Sequence, residues 1–398
     1  MLKPGREKPV INQHPWVFSG AIDTVMGDPA PGALVDVVTA SNRWLARGYW
    51  NARSQIQVRI LTWQDDPIDA DWWRTMIRRA VEARQPYLSA QLADGFRLIN
   101  AESDFLPGLI VDCYGGWVVV QALTLHIDQR KQQIAHYLVD VLTELDYPPR
   151  GIYERSDVDV RRKEGLSQAT GVLWGEEPPP LIQIDGENWR HLVDVRRGHK
   201  TGAYLDQRDN RAYLAHFMAL NGLTDPAARL LNLFSYTGGF GAGIDAQVVN
   251  VDASYEALDL AEQIAQMNHV PAARREFVQA DVFDLIRDFA EQGELFDVIV
   301  CDPPKFAHNQ GQVERAARGY KDLNLHCFKC LQPGGYLMTY SCSGAISPDL
   351  FQKIVFGALA DSGRQAQIVK HLGPGDDHPV ALTFPEGEYL KGLLLRVY

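Results

Sequence analysis

The sequence predicts an α/β protein: a doubly wound, mostly parallel sheet in the carboxyl-terminal half, preceded by a small β-barrel and an α+β middle domain. Its organising stretch runs from Leu230 to Ser343, where four apolar runs each deliver a polar cluster at the carboxyl end. Leu230–Leu233 leads into Phe234-Ser235-Tyr236-Thr237-Gly238-Gly239, and Val248–Val251 stops on Asp252. Phe296–Val300 leads into Cys301-Asp302-Pro303-Pro304-Lys305, and Tyr336–Tyr340 ends in Ser341-Cys342-Ser343. Apolar runs of that length bounded by turn residues read as buried strands. In open α/β sheets, ligands bind at the carboxyl edge of the strands. The amino-terminal part differs: its short apolar runs, broken at close spacing by Gly, Pro, Asn and Asp, predict a small all-β element.

Composition narrows the class. A chain of 398 residues, 46% hydrophobic and 22% charged, is an ordinary globular protein with room for two or three domains. A net charge of −11 argues against indiscriminate binding to nucleic acid or acidic membranes, though not against a local basic patch. The five cysteines (113, 301, 327, 330, 342) are scattered and odd in number, which fits a reducing compartment rather than a disulfide framework. The start is polar and proline-punctuated, and no apolar run approaches the ~18 residues of a membrane span. A cytoplasmic enzyme without a signal peptide is expected.

In chain order, residues 1–68 are the first predicted domain, with strands at Val17–Ile22, Leu34–Thr39, Trp44–Tyr49 and Ile56–Thr62. Trp16, Trp44 and Trp50 are expected in its core, base stacking being the other use of such rings. Residues 69–189 are the middle domain. Trp72, Trp73, Met76, Ile77 and Ala80 recur at helical spacing over Ile68–Arg84, with Asp69 or Asp71 as cap. Strands follow at Phe96–Asn100 and Leu109–Leu125 (broken at Gly115-Gly116), then a helix over Ile127–Leu145 and a strand at Ile152–Arg155. The alternating charges of Glu154–Glu164 read most simply as a solvated face. Residues 190–398 are the third domain. Its first stretch, 190–211, holds six Lys or Arg and three Asp. Arg196, Arg197 and Lys200 are its candidates for a phosphate backbone, against the simpler reading of a charged hairpin before a helix at Asp209–Leu220.

The strand ends carry the chemistry. Glycines in the turn after Leu233 bring backbone amides close to a ligand, although Gly239, Gly241 and Gly243 do not make a dinucleotide fingerprint. Asp252 is placed to accept both hydroxyls of a ribose, and Asp281, after a short strand at Glu276–Gln279, to face an adenine edge. Turn, acid, acid, then Asp-Pro-Pro is the order seen in class I S-adenosylmethionine methyltransferases. Pro303 and Pro304 lack amide donors and have fixed φ, so Asp302–Lys305 makes a rigid platform for a flat base. Cys342 separates two chemistries. Carbon 5 of a pyrimidine accepts a methyl group only after a thiolate adds to carbon 6, whereas amine methylation needs no thiol. Cys301 faces away from Asp302 by strand alternation and is structural. Cys327 and Cys330 lack a second ligand pair at zinc spacing.

These residues resemble the RlmI-like family, bacterial PUA-domain methyltransferases that form 5-methylcytosine in large-subunit ribosomal RNA. His14–Gly20 is similar to the family's PUA signature, and Arg97–Asp112 to its middle-domain hairpin. Its most distinctive run is matched by Gly198–Arg211, G-H-K-T-G-A-Y-L-D-Q-R-D-N-R. The turn, V-N-V-D-A-S, Q-M-N-H, A-D-V-F-D, D-P-P-K-F and S-C-S follow in family order, and Asp377–Pro379 and Glu386–Lys391 match the tail. The resemblance implies a PUA-like barrel, a small α+β domain and a class I methyltransferase sheet. It implies an S-adenosyl-L-methionine site from Thr201, Tyr204, Asp206, Gln207, Phe234, Tyr236, Gly238, Gly239, Asp252, Ser254, Asn268 and Asp281. It implies an RNA partner, Cys342 as nucleophile, and Asp302 as the group hydrogen-bonding the cytosine beside Pro303, Pro304 and Lys305. One departure stands out: between Phe240 and Asp252 the chain is about one helical turn shorter than the family pattern. Gly241 and Gly243 sit where a helix should start, so a stubby or loose helix is expected. Two alternatives stay open at this point: an RNA amine or guanine-N7 methyltransferase on the same fold, and a non-catalytic RNA-binding or ribosome-assembly factor.

Overall fold

The computed structural model describes residues 1–89, 94–186 and 189–398. They fall into two compact units, the first made of Met1–Gly186, Val193–Leu205 and Asp377–Gly387, the second of Glu187–Leu192, Asp206–Asp376 and Glu388–Tyr398.

The first unit holds two sheets. After a short helix, α1 (Lys8–Ile11), strands β1 (Trp16–Phe18), β2 (Leu34–Val38), β3 (Trp44–Trp50) and β4 (Ile56–Thr62) pair antiparallel in the order β1-β4-β3-β2. Leu2, Val17, Ala46, Trp50 and Ile60 fill their core. Trp16 and Trp44 are only half-buried, and the Trp16 indole N–H donates to Glu102 at 2.8 Å. Helix α2 (Ala70–Glu82) starts on Asp69, whose carboxylate accepts from the amides of Asp71 and Trp72, the N-cap arrangement expected of an acid there. After α3 (Gln85–Leu88), five strands form a second sheet in sequential order: β5 (Gly95–Asn100), β6 (Leu109–Tyr114), β7 (Trp117–Ala122), β8 (Gly151–Ser156) and β9 (Ala169–Gly175). Only β7 and β8 pair in parallel, because α4 (Leu125–Glu144) makes the crossover between them.

The charged run at 154–164 is solvated only in part: Asp159, Arg162 and Lys163 are exposed. Glu154, Arg155, Arg161 and Glu164 are all buried. Arg59 bridges Glu102 and Glu164, each at 3.0 Å, and Glu154 pairs with Lys131 at 2.9 Å. Arg155 donates to the carbonyls of Val195 and Gly198. Alternating charge suits a buried paired network as well as it suits water, and periodicity alone does not separate the two.

After β10 (Ile182–Asp185) and β11 (Arg190–Val193), the second unit contributes α5 (Arg208–Leu220), β12 (Arg229–Leu233), β13 (Gln247–Asp252), α6 (Tyr255–Met267) and β14 (Arg275–Gln279). It continues with α7 (Val282–Gln292), β15 (Phe296–Cys301), α8 (Val313–Lys329), β16 (Leu331–Ser341), α9 (Pro348–Ser362), β17 (Ala366–Leu372) and β18 (Lys391–Val397). The sheet order is β14-β13-β12-β15-β16-β18-β17. The first five strands are parallel, and β18 runs antiparallel to both neighbours. Alternation splits the core: Ile299, Cys301 and Leu337 pack with Cys327 and Phe351 on one face, Val298, Val300 and Met338 with Leu214 and Met218 on the other. Strand order reverses between β12 and β15, which marks the topological switch point. Register aligns Leu233 with both Val251 and Cys301, and Cys301 with Thr339. Phe234, Asp252, Asp302 and Cys342 therefore leave the sheet at one edge.

Between β12 and β13 the expected short helix gives way to turns alone. The shortened stretch leaves its carbonyls without helical partners, and Arg275 takes them. Its guanidinium donates to the carbonyls of Gly241 (3.1 Å), Ile244 (2.6 Å) and Ala246 (2.7 Å). Gly241 is required by close packing, since a Cβ there would meet the Val248 side chain at 2.7 Å.

Candidate active site

The donor side begins where β12 ends. Phe234 and Tyr236, neither of them glycine, adopt φ of 58° and 47°, and Gly238 has φ of 72°. Such strained backbone persists only when its surroundings impose it. Here the Ser235 amide donates to the Val251 carbonyl at 2.9 Å and the Gly238 amide to the Ser235 carbonyl at 2.8 Å. Below the turn, Thr237 Oγ1 lies 3.0 Å from His191 Nε2, and burial drives the His191 pKa down to about 3, so this imidazole is neutral. A Cβ on Gly239 would strike the Arg211 guanidinium at 2.7 Å.

Asp252 faces the turn from the next strand. Its Oδ2 accepts the Tyr236 amide at 2.8 Å and its Oδ1 the Ser254 amide at 2.9 Å. A carboxylate offers about four acceptor sites, so the same group retains capacity for a vicinal diol. Ser254 and Asp281 are helix caps: Ser254 Oγ accepts the Ala257 amide, and Asp281 accepts the amides of Phe283 and Asp284. Asn268 is spent on architecture, accepting from the Arg190 amide and donating to the carbonyls of Arg190 and Ile264.

The other side of the edge carries the thiol. Cys342 is half-buried between the fully buried Ser341 and Ser343, and its Sγ lies 3.9 Å from the Pro303 carbonyl oxygen. Both serines turn inward onto Tyr320: the hydroxyls of Ser341 and Ser343 each lie 3.0 Å from the phenol oxygen. Asp302 Oδ2 accepts from Gln207 Nε2 at 3.0 Å, and Gln207 Oε1 accepts from Asn210 at 2.6 Å. Gln207, expected at the methyl donor, is thus joined to the Asp-Pro-Pro segment. Asp206 accepts from the Tyr389 hydroxyl at 2.6 Å. Pro303 is buried, while Pro304 and Lys305 are exposed.

Other expected residues lie in the first unit. Thr201 is buried, donating to Asp112 at 2.6 Å and pairing with the Tyr114 hydroxyl at 2.7 Å. Tyr204 contacts His199 at 3.1 Å and carries Lys200 over its ring at 4.5 Å. Arg196 is tied to Glu177 at 3.2 Å and to the Pro178 carbonyl, leaving Arg197 as the exposed cation of that pair. The sequence reading assigned no role to Arg275 or to Lys391, whose Nζ donates to the carbonyls of Ser343 and Ile346, both at 2.7 Å.

A seven-stranded sheet of this order, with a turn, an acid and an Asp-Pro-Pro at its edge, defines the class I S-adenosylmethionine-dependent methyltransferases. Comparison with known proteins agrees. Residues 160–373 match the S-adenosylmethionine-dependent methyltransferase family and residues 1–63 a PUA-like domain. Ribosomal RNA large subunit methyltransferase I of Aeromonas salmonicida is 46% identical over 99% of this chain and 98% of its own length. The protein of the same name from Shewanella amazonensis is 46% identical over 100% and 98%. A Streptococcus mutans structure described as a SAM-dependent methyltransferase superposes with a TM-score of 0.82 at 20% identity, covering 100% of this chain and 99% of that one; it shares the fold. The chain belongs to the family of PUA-domain, S-adenosylmethionine-dependent methyltransferases that includes the large-subunit methyltransferases I. Among the described residues no helix is long and apolar enough to cross a membrane.

Proposed function

We propose that this protein is a cytoplasmic enzyme that methylates carbon 5 of a cytosine in large-subunit ribosomal RNA, with Cys342 as covalent nucleophile. The relatives' names support the RNA, and the position of Cys342 carries the chemistry. In a loop whose two serines hydrogen-bond Tyr320, the thiol lies against the Pro303 carbonyl of the Asp-Pro-Pro segment. Its side chain packs against the core on the opposite sheet face from Cys301, half-buried rather than sealed as Cys301 is.

The methyl donor fits the chemistry of the residues present. Phe234, Tyr236, Gly238 and Gly239 supply the turn, Asp252 accepts the ribose hydroxyls, and Asp281 stands at the adenine end. Asp206, held by Tyr389, precedes Gln207, which holds Asp302. S-adenosylmethionine supplies an electrophilic methyl carbon. The Cys342 thiolate adds to carbon 6 of a cytosine resting on Pro303, Pro304 and Lys305, which makes carbon 5 enamine-like and nucleophilic. Asp302, held by Gln207, in its protonated form donates a hydrogen bond to N3 of the ring, where negative charge develops. After methyl transfer, loss of the carbon 5 proton to solvent expels the thiolate. The target base must be unstacked to reach the edge, and Arg197 and Lys200, exposed on the first unit, are proposed as RNA phosphate contacts. Thr201 and Tyr204 keep the roles described within the first unit, and Asn268 supports the donor-side architecture.

Nucleoside mass spectrometry of ribosomal RNA tests this. Cells lacking the gene should regain one 5-methylcytosine with the wild-type protein and none with Cys342→Ala. A Cys342→Ala protein that restores it at the wild-type rate refutes the thiol role. A methylated guanine or amine in its place moves the protein to that chemistry.

A further inference from the structure

Lys391 is a buried lysine without an ion-pair partner among the described residues. It opens β18, and the antiparallel register sets it directly across from Ser341, the residue before Cys342. Its Nζ donates to the carbonyls of Ser343 and Ile346, which lie in the loop immediately after the cysteine. Two neutral carbonyls hold the group in place but do not neutralise it. Burial lowers its pKa to about 8, and Lys305 pushes the same way, while Cys342 and Glu388 pull it back up. Tyr320 of α8 holds the residues on either side of the cysteine, its phenol bonded to Ser341 and Ser343.

Resting on the reading of Cys342 as nucleophile, we propose that Lys391 is a positioning residue for it: the ammonium pins the loop after the thiol and supplies the positive charge that favours the thiolate. The thiol proton leaves to water and the lysine keeps its own. The charge then remains beside the sulfur while it bonds carbon 6, and again favours the thiolate when it is expelled.

Iodoacetamide alkylation of the full-length protein, followed by peptide mass spectrometry at Cys342 across pH 6–10, tests this without RNA or methyl donor. Failure of the nucleophile reading, seen in RNA methylation by Cys342→Ala, is thus distinguishable from failure of this one. Lys391→Met should move the alkylation midpoint upward by about one pH unit, slowing modification roughly tenfold at pH 7. Lys391→Gln, which keeps an N–H for the carbonyls and loses the charge, should shift it as far. Unchanged midpoints in folded variants overturn the proposal. A shift with Met but not Gln reduces Lys391 to a loop brace and overturns the charge role. Should either variant fail to fold, the reciprocal measurement stands. Coupling is mutual, so Cys342→Ala must lower the Lys391 titration midpoint, followed by NMR of its ε-methylene. An unmoved midpoint overturns the proposal.

Discussion

Two loops leave the same edge of the sheet, and each is held by a cation reaching loop carbonyls, half-buried in one case and buried in the other. The donor-side crossover after β12 is braced by Arg275, which donates to the carbonyls of Gly241, Ile244 and Ala246. The thiol-bearing loop after β16 is braced by Lys391 through two carbonyls. Burial lowers both pKa values, Arg275 to about 10 and Lys391 to about 8. A guanidinium at 10 stays charged throughout the physiological range and spreads its donors in a fixed fork, which suits permanent architecture. An ammonium near 8 is a compact charge that titrates close to working pH, which suits a partner for a sulfur that changes charge. Burying an ammonium costs several kcal/mol, and two charge-assisted bonds return about 1.5–3 kcal/mol each. The near balance means stability alone does not explain why a lysine stands there.

The comparison can be broken from either side. The largest effect is expected from Cys342→Ala, which should reduce methyl transfer by roughly three orders of magnitude or more while leaving S-adenosylmethionine affinity in calorimetry unchanged. Arg275→Met strands three carbonyls and should cost about 2–4 kcal/mol in denaturant unfolding. It should weaken donor binding while leaving the Cys342 alkylation profile where it was; a shifted profile would mean the two loops are not independent. Asp252→Ala removes the acceptor of the Tyr236 and Ser254 amides and should raise the donor Kd about 10–100-fold by calorimetry.

The smallest effects are in pH: both groups add stability as pH rises, and the pH window separates the loops. His191 beneath the donor turn is lowered from 6.5 to about 3. Its contribution is present above pH 6.5 and is lost as pH falls toward 3, by at most about 1.4 kcal/mol per unit. Lys391 is lowered from 10.5 to about 8. Between those values the unfolded chain binds the proton and the folded chain does not, so this group adds stability as pH rises from 8 to 10.5. The loop loses its charge over the same rise. Urea titrations of wild type, His191→Gln and Lys391→Met at pH 5, 7 and 9 should show the His191 variant losing less stability on acidification. The Lys391 variant should gain less at pH 9 than wild type does.

What the sequence revealed follows the same division. Strands and their terminal acids were legible because an apolar run ending in Asp252, in Asp302-Pro303-Pro304 or in Ser341-Cys342-Ser343 is a local pattern. The braces were not, because Arg275 and Lys391 bond to carbonyls dozens of residues away, and a backbone carbonyl leaves no mark in a sequence. Gly241 and Gly243 in a shortened crossover pointed only to a stubby or loose helix, where the chain forms turns. The charges at Glu154–Glu164 divide between an exposed set (Asp159, Arg162, Lys163) and a buried one, because sign alternation describes buried pairs and solvated faces alike. Gln207 was expected beside the donor and is found on Asp302, a partner 95 residues away that spacing does not reveal.

The central claim is that a thiol and a methyl donor meet on one cytosine at this edge. Incubating the protein and S-adenosylmethionine with a large-subunit RNA fragment carrying 5-fluorocytosine tests it most directly, because fluorine cannot leave as the carbon 5 proton does. The account predicts a denaturation-resistant protein–RNA adduct whose peptide is cross-linked at Cys342, and none with Cys342→Ala. Turnover of the unmodified fragment with no trapped adduct on the fluorinated one, or an adduct at another residue, would contradict it.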